Sequence, residues 1–324
     1  MTAQAASTRT PAPTRNLGIL AVVTAVVGLS TGSTLVKLTG SPGSVVAFWR
    51  LVFGGLIWFG LLLIGGKRIS WRTFRRVAPI GALFGLNLLL FFSAVRATRV
   101  ANAEFIGTLT PVITVPMAAL VFHERIRWRA LAFGGVAMAG VALIVFNAPA
   151  RGSQSLRGDL LAVGAIITWS IYLLFARRLR ESIGVVEFMA TVTAVAAIVV
   201  APLAASTGEM FSLTAKGWIL CVVLGMVTGT IGHGLIQWAQ RVVELSVITV
   251  MQVGQPALAA FWAWLLLDES VKGIQVAGMV IVLMSLLGFT LTMQAGTVAH
   301  VEPAPGDGYP AVASNKGSSE DTPG

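Results

Sequence analysis

TLTPVITVPMAALVFHERIRWRALAFGGVAMAGVALIVF, residues 108–146, has a counterpart in QPALAAFWAWLLLDESVKGIQVAGMVIVLMSLLGF, residues 255–289. Each stretch opens near a proline, runs apolar to a glutamate thirteen residues further on, and resumes as a second apolar run rich in Gly and Ala. At a constant offset of 145 residues Pro111 pairs with Pro256 and Glu124 with Glu269. The same offset pairs Ala94 with Ala239, Arg96 with Arg241, Ala118 with Ala263 and Ala132 with Ala277. The chain therefore reads as two related halves.

A helix needs about 20 apolar residues to cross the hydrocarbon layer of a bilayer. Working outward from the paired stretches, ten apolar runs approach or exceed that length: Leu17–Val36, Ser44–Ile64, Val77–Ala94, Val100–Phe122, Arg129–Phe146, Asp159–Ala176, Val185–Ala204, Trp218–Trp238, Leu245–Leu267 and Gly273–Met293. They lack the alternation that strands of a closed barrel require. The sequence predicts an all-α membrane protein with ten transmembrane helices, arranged as two five-helix repeats. Five is odd, so the second copy starts from the opposite face of the membrane and the repeats are inverted. That architecture belongs to transporters and places a binding site near the midplane between the halves. The predicted organisation is a flexible cytoplasmic N-terminus over 1–16, a first repeat over 17–147, a connecting loop over 148–158, a second repeat over 159–293, and a disordered cytoplasmic tail over 294–324 that is rich in Pro, Gly, Ser and acids. The run after Arg15 is long enough to span, and reads as a retained first helix rather than a cleaved signal.

Composition agrees with lipid as the solvent. Of 324 residues 56% are hydrophobic and 11% charged, against about 25% charged in soluble domains. The net charge of +10 does not indicate nucleic acid, because the basic residues form short clusters between apolar runs. With the N-terminus inside, the inner segments hold Arg9, Arg15, Lys67, Arg68, Arg72, Arg75, Arg76, Arg125, Arg127, Arg129, Arg177, Arg178, Arg180, Arg241 and Lys316, fifteen in all. The outer loops hold seven: Lys37, Arg96, Arg99, Arg151, Arg157, Lys216 and Lys272. Positive charge is retained on the cytoplasmic side, so both termini are expected there, in the inner or plasma membrane. One cysteine, Cys221, excludes an internal disulfide, and His123, His233 and His300 lack metal-ligand spacing. No metal and no cofactor are expected.

The two quoted stretches resemble the EamA-type branch of the drug/metabolite transporter superfamily, with a proline in mid-helix, a glutamate where the helix ends, and a Gly/Ala-rich last helix. GTIGHGLIQWAQRV, residues 229–242, is similar to the segment that precedes the second motif. The resemblance covers roughly residues 17–293. It implies a secondary active transporter, an exporter of a small polar metabolite or amino acid, working by alternating access and driven by protons. It leaves the substrate open. The first helix departs from the pattern: GLSTGSTLVKL, residues 28–38, lacks the Trp-Gly-Ser that often opens the family, so no role is carried over to those positions.

Ionisable groups inside spans are costly and face a cavity or a partner. Arg50 lies roughly 10 Å below the outer face at 1.5 Å per residue, where it could bind a substrate carboxylate in bidentate fashion or pair with a fixed acid. Glu104, roughly 6 Å deep on the same count, shares a face with Thr108 and Pro111; it is a proton-coupling candidate, or one member of a structural ion pair. Pro111 and Pro256 free backbone carbonyls that could line a cavity. His233 and Gln237, Asn87, and Gln252 with Gln255 and Thr249 could bind a polar substrate or bond one helix to another. Trp169 and Tyr172, one turn apart, could stack on a ligand or simply pack. Gly135 and Ala139 read as a close-packing pair, and Glu124 and Glu269 as solvated residues at helix ends.

An enzyme is not expected. The sequence has no Gly-rich phosphate loop, no H-E-x-x-H and no Ser/His/Asp set, and the depth count puts Glu104 and His233 near opposite faces of the membrane. A membrane-embedded enzyme and a non-transporting scaffold or receptor are the alternatives. The inverted repeat serves alternating access and gives a receptor no evident advantage. The expected partners are a small-molecule substrate and the lipid bilayer, with a homodimer admitted and nucleic acid excluded.

Overall fold

The computed structural model describes residues 15–97, 100–123, 128–146, 156–267 and 273–298. Among them the chain is all-helical, without a strand. Seven helical spans are long and apolar enough to cross a membrane: Arg15–Thr39, Gly43–Ile64, Trp71–Ala97, Leu156–Arg180, Val185–Ser206, Ala215–Ala239 and Leu245–Leu266. Three shorter apolar helices accompany them, Thr110–Phe122, Leu131–Leu143 and Gly273–Phe289. This is a multi-pass membrane protein. Glu124, Glu269, Arg99 and most of the expected N-terminus and tail lie outside the described residues.

Several of the expected runs are interrupted helices. The first is α1 (Arg15–Ser30) and α2 (Gly32–Thr39), broken at Thr31. α3 (Gly43–Ile64) and α4 (Trp71–Ala97) follow. The fourth run is α5 (Val100–Gly107) and α6 (Thr110–Phe122), and α7 (Trp128–Phe146) closes the first half. The second half begins with α8 (Leu156–Arg180) and α9 (Val185–Ser206). The next run is α10 (Ala215–Leu224), a π-helical segment Gly225–Gly232, and α11 (His233–Ala239). Then come α12 (Leu245–Gln252), α13 (Gln255–Leu267) and α14 (Gly273–Val298), the last running five residues past its expected end.

The breaks after α5 and α12 share a construction. Leu109 donates its N–H to Ile106 and Gly254 donates to Met251, so each helix tightens into a final turn at the same 145-residue offset. Pro111 and Pro256 then sit second in α6 and α13. In the first turn a proline's missing N–H sacrifices no intrahelical bond. A helix restarts here because its predecessor has ended, which leaves backbone groups at both breaks for other partners.

The helices pack between the halves in a reciprocal set. α1 packs on α11 and the π-segment, while α4 packs on α8; α3 packs on α9, α6 on α12, and α7 on α14. Small residues set the closest approaches. A Cβ on Gly140 of α7 would lie 2.8 Å from the Gly278 carbonyl oxygen of α14. The expected pair Gly135 and Ala139 is instead exposed, and a Cβ on Gly135 would meet nothing within 4 Å. The buried face of α7 is thus the one carrying Gly134, Ala137 and Gly140. Because α7 is apolar all round, its sequence does not say which small residues face protein and which face lipid.

Candidate functional site

A cavity of about 150 Å³ lies between the halves, the size that admits a benzene-sized molecule. Both helix breaks open onto it, through Gly107, Thr108, Thr110 and Pro111 on one side and Gln252, Val253, Gln255 and Pro256 on the other. Of the residues singled out from sequence, Arg50, Asn87, Glu104, Thr108, Trp169, His233, Gln252, Gln255 and both prolines line it. Glu104 and His233 therefore share one cavity, where counting residues from the helix ends had set them near opposite faces. The cavity is deep, and interrupted helices spoil a count that assumes regular rise.

Arg50 is 4% exposed, on the buried face of α3. Its Nε has no hydrogen-bond partner, and no ion pair joins it to Glu104 or to another acid among the described residues. The guanidinium carbon lies 5.6 Å from the centroid of the Phe92 ring. That contact provides about 0.5–2 kcal/mol, against several kcal/mol for burying an ion. The protein itself thus leaves this cation undercompensated. Glu104, half-buried on α5, faces the cavity, which Ser33 also lines. One fixed cation and one carboxyl group hence look into the same small space without neutralising each other.

The polar lining is only partly committed. Asn87 Nδ2 donates to the Ala165 carbonyl at 2.8 Å, tying α4 to α8. Thr228 and Thr249 donate to carbonyls one turn back in their own helices. His233 stands edge-on to Phe84 and Trp169, with ring centroids 5.0 and 5.5 Å away; its Nδ1 and the Oε1 of Gln252 have no partner. Tyr172 and Gln237 do not line the cavity. Both are fully buried beside it, and Tyr172 stacks on Trp169 at 5.1 Å.

Sequence reasoning passed over Ser30, Ser33, Thr228 and Phe92, which also line the cavity. Ser30 accepts a 2.9 Å hydrogen bond from Trp262 Nε1, so it also fastens α1 to α13. The signal for the serines was present in the small polar run Ser30–Ser33, where α1 breaks. Phe92 carried none, since an apolar residue in an apolar helix does not announce which way it faces.

The geometry is that of a many-helix membrane protein with a cavity between two helical halves, lined by apolar and polar side chains together. The sequence profile of the EamA-like transporter family matches residues 16–146 and again 156–291. The chain belongs to the EamA-like transporter family, and is a transporter of the drug/metabolite type, not an enzyme. Among its relatives, the pseudopaline exporter CntI of Pseudomonas aeruginosa is 24% identical over 282 residues, 85% of this chain and 96% of that protein. The threonine/homoserine exporter RhtA of Salmonella typhimurium is 27% identical over 301 residues, 86% of this chain and 92% of that protein. The aromatic amino acid exporter YddG of Ancylobacter novellus is 29% identical over 159 residues, 45% of this chain and 54% of that protein. A solved crystal structure superposes with a TM-score of 0.72 at 21% identity, covering 87% of this chain and 99% of the other, so the fold is shared.

Proposed function

We propose that this protein is a proton-coupled exporter of a small polar metabolite of the amino-acid class, working by alternating access between two inverted five-helix repeats. The observation that carries the reading is the unpaired Arg50 and the carboxyl of Glu104 facing one cavity of about 150 Å³. Arg50 suits a carboxylate, which a guanidinium binds with two parallel hydrogen bonds. Glu104 suits an ammonium group or a proton in transit. The two sites together describe a zwitterion. The exporters of threonine, homoserine and aromatic amino acids among the relatives support that class.

Three observations support the inverted repeat. The family profile matches twice; the helix breaks recur at the 145-residue offset; and packing between halves is reciprocal, as a two-fold axis demands. With both termini in the cytoplasm, Ser33, Arg50 and Glu104 lie toward the outer face, and the cavity belongs to an outward-facing state. Reporter fusions at the C-terminus and in the loop near Gly152 are expected to give opposite orientations. The same orientation from both would refute the ten-span arrangement.

Glu104→Gln is expected to reach the membrane in normal amount and to lose the pH dependence of transport. The check is efflux from proteoliposomes, first with a panel of amino acids and then with metabolites found by comparing cells with and without the protein. Full, still pH-dependent activity in Glu104→Gln would eliminate it as the proton carrier.

A further inference from the structure

Below the cavity, the structure buries a second set of polar side-chain groups that find no hydrogen-bond partner among the described residues. Gln237 and Gln240 each leave Oε1 and Nε2 without a partner, as Tyr172 does its hydroxyl. All three residues are at most 3% exposed. His233, Gln237 and Gln240 follow one another at spacings of four and three, a single stripe on one helical face about 10 Å long at 1.5 Å per residue. The stripe starts at the cavity, where His233 and Trp169 line the wall, and leads away from it toward the Arg-rich end of the bundle. There Arg180 donates to the carbonyls of Gln237 and Ile183, and Arg241 donates to the carbonyl of Arg180. The rings of Phe84, Trp169 and Tyr172 pack around His233 at the head of the stripe, between the cavity and the two glutamines.

Unsatisfied buried amides are rare, and each one needs an explanation. Helix-to-helix bonding does not provide it, because no such bonds are made. At the Arg-rich end Arg177 of the second half lies over the Phe122 ring of the first, 5.1 Å from its centroid, and two ion pairs join the halves. Lys67 of the first half meets Glu187 of the second at 3.1 Å, and Arg15 meets Glu244 at 3.3 Å; the side chains of both pairs are 18–50% exposed. Water still reaches both pairs and screens them, so each contributes modestly and can part. Directly above His233 in sequence, the π-helical segment carries glycines at 225, 229 and 232, and such segments frequently mark functional sites.

We infer that Tyr172, Gln237 and Gln240 line the other half of the transport route, a second polar cavity that exists only when the Lys67–Glu187 and Arg15–Glu244 pairs have separated. In that state the amides and the phenol hydrogen-bond water and the polar head of the substrate as it passes the Phe84–Trp169–His233 floor. The inference rests on the alternating-access reading given above, and adds to it a binding station for uncharged hydrogen-bonding groups on α8 and α11.

The test places one cysteine at a time in a Cys221→Ala background, which removes the chain's single native thiol. A membrane-impermeant methanethiosulfonate bearing a sulfonate is applied from the Arg-rich face to Gln240→Cys or Gln237→Cys, and from the other face to Thr108→Cys. Each is compared with the same variant carrying Lys67→Ala and Arg15→Ala. Losing these two ion pairs is expected to raise labelling at 240 and 237 about fivefold, the effect two pairs of typical strength provide, while labelling at 108 falls. If 240 and 237 stay unlabelled while the rate at 108 still responds, the inference fails and alternating access stands. If none responds, or if 108 and 240 label together and rise together, both fail. The two glutamine positions serve as independent probes should one variant not fold.

Discussion

Arg50→Gln is expected to lower transport by about 30-fold to several thousand-fold, the range that follows from the 2–5 kcal/mol lost when one partner of a buried, hydrogen-bonded charge pair is truncated. On the proposed reading a substrate carboxylate supplies the other partner. Among the described residues, Arg50 makes no ion pair, and its Nε makes no hydrogen bond. Removing it therefore strands no acid, and the variant is expected to melt no lower than the parent. Arg50→Lys should fail nearly as badly, since an ammonium cannot reproduce the planar two-bond grip on a carboxylate. Efflux from proteoliposomes and a melting curve on the same preparation decide the matter. Undiminished transport in Arg50→Gln would remove the carboxylate site; equal loss of transport and of melting temperature would make Arg50 a structural residue.

Gly225→Val is expected to produce the largest loss of stability. A Cβ at this position would lie 2.8 Å from the Gly54 backbone nitrogen, 2.8 Å from Phe53 Cβ and 3.1 Å from the Arg50 carbonyl oxygen. Backbone cannot step aside as a flexible side chain would. Forcing atoms into a well-packed contact costs about 1–3 kcal/mol and occasionally more, and here the π-segment must part from α3. Gly54→Ala should act in the same direction, because its Cβ would lie 3.1 Å from the Gly225 carbonyl oxygen. Gly60→Ala, on the same helix with nothing within 4 Å, should be neutral or slightly stabilising, as alanine is the better helix former. Thermal melting in detergent separates the three. A Gly225→Val variant that melts with the parent would refute the close approach of α3 to the π-segment. Since that approach also fixes the backbone at Arg50, transport should fall with it.

Several parts of this site were legible beforehand because they are local or repeated. Pro111 and Pro256 stood out through the 145-residue offset, and both end up on the cavity beside matched helix breaks. Arg50 and Glu104 stood out because a charge in an apolar run is costly. The break at Thr31, the π-helical turn at Gly225–Gly232 and the glycine contacts at Gly54 and Gly140 were not legible. Nor were the ion pairs Arg15–Glu244 and Lys67–Glu187, whose members are far apart in sequence.

By itself the sequence determined that the chain is helical, that it lives in lipid, that it carries two related stretches, and which few polar residues are too expensive to be idle. Those properties follow from composition, run length and the price of charge in hydrocarbon. Tertiary structure alone decided which way each helix faces. In a soluble helix the polar stripe marks the outside, but in a bilayer lipid and core are equally apolar and a span can be hydrophobic all round. The turn that brings Arg50, Glu104 and His233 to one cavity, and hides Tyr172, Gln237 and Gln240 beneath it, is fixed by packing between the halves.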